Sequence, residues 1–208
     1  KEFDQDEQES NWIILDAHKN SHFAITKAQT IHRGVEFSRL LNTTRGINLP
    51  QDTIEYAVAV AASTAKYYRK DATPYGFFCS AKNWIYLSIE KGERQFAKIM
   101  QLLAFIQPEG KISLAELSAI CREKIVSGSS VIFITPRSDE QLVIADNYFN
   151  TKRISRVFFL IDSEPIGGPA INKTNIELLR KRNAKVFTIK IGDHIGNKFA
   201  LNISRTPL

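Results

Sequence analysis

A chain of 208 residues with 43% apolar and 24% charged residues has the profile of a soluble globular protein of one domain, or at most two small ones, and lies outside the disordered and fibrous classes. Its two cysteines, Cys79 and Cys121, form no CxxC pair, which argues against a disulfide-stapled secreted module and a Cys-rich zinc site. Apolar runs such as Val131–Thr135 and Val157–Ile161 are too short to cross a bilayer.

The net charge of +6 hides an uneven distribution. The first ten residues hold the acids Glu2, Asp4, Asp6, Glu7 and Glu9 against the single base Lys1, so the remainder is markedly basic. Its bases are scattered along the sequence. The one tight cluster, Arg180-Lys181-Arg182 with Lys185, falls at the expected C-terminal end of a helix, where cations complement the helix dipole without needing a partner. Nucleic-acid binding is therefore not expected. The chain opens Lys1-Glu2 and its only methionine is Met100, so it is expected to be a piece of a longer protein. No signal peptide is expected in this stretch, because no basic-flanked apolar segment opens it.

Trp12–Leu15 is a short apolar run closed by Asp16, the pattern of a strand buried on both faces. Residues 17–51 read as one long loop insertion, with histidines at 18, 22 and 32, glycines at 34 and 46, Pro50 and weak helical periodicity around Glu36–Leu41. Asp52 is a candidate N-cap, followed to Lys70 by Ile54, Ala57, Val58, Ala61, Ala62 and Ala65 at helical spacing. That alanine-rich stripe predicts close approach of the helix to a sheet.

Tyr75–Cys79 and Trp84–Leu87 read as a hairpin. A helix follows from Gly92 to Ile106, broken by Pro108 and Gly110. Ser113 and Glu116 have capping-box spacing at the start of the next helix. From there helices alternate with strands: Ser130–Thr135 (strand), Asp139–Phe149 (helix), Arg156–Ile161 (strand), Lys173–Arg182 (helix) and Lys185–Ile191 (strand), with a Gly/Pro-rich loop at Pro165–Pro169. Such alternation predicts parallel strands sandwiched by helices on both faces. The expected fold is one α/β domain over residues 1–208: a doubly wound, mostly parallel six-stranded sheet of Rossmann type, with one antiparallel edge strand.

The order of elements, with an acid closing the first strand, resembles a von Willebrand factor A domain. The stretches Glu55–Ala65, Tyr75-Gly-Phe-Phe78, Gly92–Phe96 before Leu102-Leu-Ala104, and the opening Lys1-Glu-Phe-Asp4 are similar to the bacterial domain-of-unknown-function family numbered fifty-eight. The resemblance covers roughly residues 1–191. It implies a strand order of 3-2-1-4-5-6, with strand 3 antiparallel. It further implies a cytoplasmic domain at the inner membrane, two membrane-spanning helices preceding it in the full protein, and a MoxR-type AAA+ ATPase as partner. No membrane contact is expected of this piece itself.

The resemblance also implies a crevice where the strand order reverses, between the strands ending at Leu15 and Thr135. A-type domains hold a divalent ion there through Asp-x-Ser-x-Ser, a loop threonine and a later aspartate. Asp16 matches the first position, but His18 and Asn20 replace the two serines, with Ser21 following. Ser113 stands in for the loop threonine. Thr135-Pro136 replaces Thr-Asp, with Asp139 the nearest acid. Mg²⁺ wants hard oxygen ligands, and imidazole suits zinc or copper better. No cofactor is expected, Mg²⁺ being the one ion the crevice chemistry admits, through Asp16, Asn20 and Ser113. Two metal-free readings stand beside it: Asp16 accepts hydrogen bonds from nearby backbone or Ser113, or the crevice is a contact surface made by Asp16, His18, Asn20, Ser21, Thr135 and Asp139.

His18 and His22 lie four residues apart, but on a loop that spacing carries no geometry, and they read as exposed loop histidines rather than zinc ligands. No phosphate-binding glycine loop and no GxSxG elbow is present. Two functions follow. One is a non-catalytic interaction module docking a protein through the crevice rim and the loop after the first strand. The other is a metal-dependent or small-molecule enzyme using Asp16, His18 and Asp139.

Overall fold

The computed structural model describes residues 10–25, 49–150 and 153–195. The stretch Glu36–Leu41, His32, the two glycines at 34 and 46 and the opening Lys1–Asp4 lie outside the described residues. Strand β1 is Asn11–Leu15, helix α1 Thr53–Lys70, β2 Tyr75–Cys79, β3 Ile85–Glu90 and α2 Gly92–Leu103. Then come α3 Leu114–Arg122, β4 Ser130–Thr135, α4 Glu140–Asn150, β5 Ser155–Asp162, α5 Lys173–Lys181 and β6 Lys185–Lys190. One six-stranded sheet runs in the order β3-β2-β1-β4-β5-β6, parallel throughout except for β3, which pairs antiparallel with β2.

Side-chain alternation along the strands divides the core between two faces. Ile13, Leu15, Phe77, Ile134 and Phe159 point to the side covered by α1 and α2. Trp12, Ile14, Phe78, Phe133 and Phe158 point to the side covered by α3, α4 and α5. The alanine stripe of α1 explains its depth: Ala57, Ala61 and Ala65 are fully buried, and small side chains let the helix lie directly on β1, β4 and β5. Gly76 serves a similar need on the other face. A Cβ there would enter the Trp12 ring, which lies over this position and tilts against Phe78 at 5.0 Å between centroids.

The expected caps form. Asp52 accepts from the Ile54 N–H at 3.0 Å, and Ser113 and Glu116 close a full capping box. Most element ends lie within one residue of the sequence reading, and two elements differ by more. β3 begins at Ile85 rather than Trp84 and runs on to Glu90, because its antiparallel pairing continues to Tyr75↔Glu90. Helix α2 stops at Leu103 rather than Ile106. There the Phe105 N–H turns back to the Leu102 carbonyl at 3.0 Å, the tighter closure with which helices often end. No described helix is long and apolar enough to cross a membrane.

Candidate functional site

β1 and β4 are neighbours at the reversal of strand order, so the crevice at their carboxyl ends is where this architecture places a ligand. Asp16 follows β1 directly. Its N–H donates to the Ile134 carbonyl at 2.9 Å, continuing the parallel ladder and fixing the side chain between the strand tips. Asp16 Oδ1 accepts from the His18 N–H at 2.9 Å and from Ser80 Oγ at 3.3 Å. Asp16 Oδ2 accepts from Thr135 Oγ1 at 2.7 Å. Each hydroxyl also accepts from a peptide: Ser80 Oγ from Ala17 N–H at 2.9 Å, and Thr135 Oγ1 from Arg137 N–H at 3.0 Å. One carboxylate thus fastens the ends of β1, β2 and β4 together, and it is completely buried. A buried charge needs this degree of hydrogen bonding to be tolerated.

The loop after α2 supports the arrangement from below. Gly110 N–H donates to the Ala17 carbonyl at 2.9 Å, and Lys19 N–H to the Gly110 carbonyl at 3.0 Å. A Cβ on Gly110 would run into the Ser80 backbone, so only glycine allows this approach.

His22 braces the other side. Its Nε2 lies 2.7 Å from the Asp16 carbonyl oxygen, which can only accept, so Nε2 carries the proton. Its Nδ1 lies 3.0 Å from Thr53 Oγ1 at the first turn of α1. Burial lowers the pKa of His22 below 6.5, with the Asp16 charge opposing the shift. His22 is therefore a half-buried brace, not the exposed loop histidine expected. Both ring nitrogens are engaged within the protein, which removes it as a zinc ligand. His18 turns elsewhere, its Nδ1 accepting from the Asn20 N–H at 3.2 Å.

Above the carboxylate, Arg137 spans the rim. Its Nε donates to Asp139 Oδ2 at 3.1 Å and its Nη1 to Ser21 Oγ at 3.4 Å, while Nη2 pairs with the same Asp139 carboxylate. Hydrogen bonding to Asp139 holds the guanidinium pKa above its ordinary value, against the effect of burial, with the Asp139 and Asp16 charges adding to the rise. Asp139 Oδ1 also accepts from the Gln141 N–H at 3.1 Å, capping α4.

The sequence-predicted set is brought together only in part. Asp16, Thr135, Ser21 and Asp139 do converge. Asp16 and Thr135 are fully buried and Ser21 is 2% exposed, so these three are scaffold rather than contact surface; His18, Asn20 and Asp139 remain accessible. Ser113 is not the donor to Asp16: it caps α3, its hydroxyl accepting from Glu116 N–H at 3.2 Å. Ser80 takes that place. Ser80, which directly follows β2, the strand beside β1, is not among the candidates the sequence singled out. Arg137 was also missed; its signal was an Arg-x-Asp pair at the head of a helix.

A divalent ion does not fit these residues. Both Asp16 oxygens already face hydroxyl and peptide donors, Asp139 is committed to Arg137 and the α4 cap, and a guanidinium stands over the crevice. Among the described residues no three His, Cys, Asp or Glu side chains converge as a metal cluster. The thiols offer no nucleophile either. Cys79 and Cys121 are buried, and burial pushes both pKa values up, disfavouring thiolate.

This sheet order, with helices on both faces, is the fold of a von Willebrand factor A domain. No protein-family model and no curated protein matches the sequence, and the likeness appears in solved structures. BatB from Bacteroides thetaiotaomicron superimposes with a TM-score of 0.56 at 12% identity, covering 95% of this chain and 98% of that one. An aerotolerance-related membrane protein from Bacteroides fragilis gives 0.53 at 10% identity, with 95% and 100% coverage. A von Willebrand factor type A protein from Catenulispora acidiphila gives 0.55 at 10% identity, and the match spans 92% of this chain but 41% of that longer one.

Proposed function

We propose that this domain is a non-catalytic protein-interaction module that docks its partner at the crevice end of the sheet, without a metal. The observation that carries this reading is the contrast between floor and rim. The floor carboxylate is buried, with hydrogen-bond donors on both oxygens. The rim offers the Arg137–Asp139 pair, half-exposed His18 and exposed Asn20. Phe105, 83% exposed, and Trp84, 42% exposed, lie at the same end, on the loops that follow α2 and β2. Aromatic and arginine side chains at a polar rim are the usual anchors of protein interfaces.

By resemblance, the partner is a MoxR-type AAA+ ATPase, and the pair acts in assembly or maturation of other proteins. By the same resemblance the domain sits at the cytoplasmic face of the bacterial inner membrane, held there by an anchor in the full protein; that a B. fragilis protein with this fold is a membrane protein supports the membrane association alone. Capture of the MoxR-type ATPase from the same genome by immobilised domain tests the reading. Phe105→Ser and Arg137→Ala, each checked for unchanged melting, are expected to cut capture at least tenfold. Undiminished capture by both variants would remove the crevice end from the interface.

A further inference from the structure

The fold gives the two ends of the sheet different charge balances that the sequence does not show. Because β1, β2, β4, β5 and β6 are parallel, the crossover helices α1, α3, α4 and α5 all finish at the end of the sheet where these strands begin. Antiparallel β3 finishes there too, and α2 starts there. Exposed Lys70, Lys91, Arg94, Arg153, Arg180 and Lys181 therefore share the end opposite the crevice. The acids at that end are largely spoken for: Glu93 pairs with Arg69 at 3.1 Å, Glu90 with Lys98 at 2.6 Å, and buried Asp146 with Arg156 at 2.8 Å. Exposed Asp71 and Glu123 are outnumbered. At the crevice end the exposed Lys19, Lys82, Lys111, Lys173 and Lys190 are balanced by Glu109, Glu116, Asp139, Glu140, Glu164 and Asp193.

Helix dipoles do not explain this difference. They account for cations in the last turns of α1 and α5. Lys91 and Arg94, however, flank the N-terminus of α2, where a positive charge opposes the dipole, and Arg153 lies in the turn between α4 and β5.

We infer that this basic end is a docking surface for an anionic lipid bilayer. The cations come from separate turns spread across the whole end of the domain, which suits a plane of charge better than a groove-bound strand. Partly exposed apolar side chains accompany them, Val126 in the turn before β4 at 36% and Ile89 near the end of β3 at 37%. The exposed aromatics that would stack on unpaired bases, Trp84 and Phe105, lie at the opposite end. Near an anionic leaflet each Lys or Arg contributes an attraction equivalent to about fivefold in binding, screened by salt.

Co-sedimentation of the full 208-residue chain with phosphatidylcholine vesicles, with and without phosphatidylglycerol, tests the inference. Binding is expected only to the anionic vesicles, and is expected to fall steeply with salt. Lys91→Glu/Arg94→Glu and Arg153→Glu/Lys181→Glu, each with unchanged melting, are expected to lower it by more than tenfold, while Lys173→Glu/Lys190→Glu at the crevice end leaves it within twofold. The acidic run ahead of Ser10 joins the chain at the basic end, so a chain starting at Ser10 is expected to bind at least as tightly. Failure to bind anionic vesicles, equal loss in the crevice-end control, weaker binding by the shortened chain, or tighter binding to duplex DNA or single-stranded RNA at the same salt would each overturn the inference. Capture of the ATPase is unaffected by these variants, so the two readings fail separately.

Discussion

Thr135 Oγ1 donates to Asp16 Oδ2 at 2.7 Å, joining residues 119 positions apart in the chain. Both are completely buried, so water cannot replace the bond without opening the crevice. Thr135→Val keeps the shape and removes the donor, and is expected to lower stability by about 1–3 kcal/mol, the cost of leaving a buried polar group unsatisfied. Thr135→Ser is expected to retain most of it. Urea denaturation of the two variants checks this, and equal midpoints would show that the hydroxyl contributes nothing.

His22 makes stability depend on pH. Its pKa is lowered in the folded state, so the unfolded chain binds the proton more readily. The neutral-His contribution is present above about pH 6.5 and is lost as pH falls from there toward the folded value. Unfolding free energy is expected to decline over that window in the wild type. The decline is expected to be shallower in His22→Gln. Parallel slopes for the two proteins would show that the titration lies elsewhere.

A second buried carboxylate holds the α4–β5–α5 corner. Asp146 is completely buried, 2.8 Å from Arg156 Nε and 3.3 Å from Arg182 Nη1. Arg156 is itself 5% exposed, so Asp146→Ala strands a guanidinium with no counter-charge and is expected to cost about 3–5 kcal/mol. Replacing Asp146 and Arg156 together with Leu and Met is expected to cost far less. Calorimetric melting distinguishes the two cases.

The crevice is expected to ignore divalent ions. Any ion bound to the native state would raise its melting temperature by mass action. Millimolar Mg²⁺ or Mn²⁺ is expected to leave melting unchanged, and a saturable rise abolished by Asp16→Asn would show that the guanidinium yields its place to a metal.

Gly110→Ala directs a Cβ at the Ser80 backbone. It is expected to lower the melting temperature by several degrees, the response of a small domain to one or two kcal/mol. Gly167→Ala, a turn position where a Cβ meets no atoms, bears only the strain of its positive φ and serves as the comparison.

The architecture was legible because local signals and the global fold agree. Asp52 and the Ser113/Glu116 box mark helix starts that need no tertiary context, and the apolar runs at Trp12–Leu15, Ser130–Thr135 and Arg156–Ile161 are what strands covered on both faces require. The site was less legible because its bonds are non-local. Ser80 meets Asp16 only after β2 has paired with β1, a register that no spacing along the chain reveals. Ser113 carries the same hydroxyl, but its local capping partner three residues away wins it. His22 likewise looks like a loop histidine until α1 brings Thr53 beneath it. The basic bodies of separate turns gave no run of charge to notice, since their common end exists only once the strands lie parallel.

The place of β1 in the sheet has a consequence for how the protein emerges during synthesis. This first strand is hydrogen-bonded on both sides, to β2 and to β4, yet β4 ends at Thr135. Until the ribosome has released that segment, the middle of the sheet keeps one open border lined by Trp12, Ile13 and Ile14, and closing it requires a contact of large sequence separation, the slow kind to form. A nascent chain stalled before residue 130 would therefore be the species most in need of a chaperone.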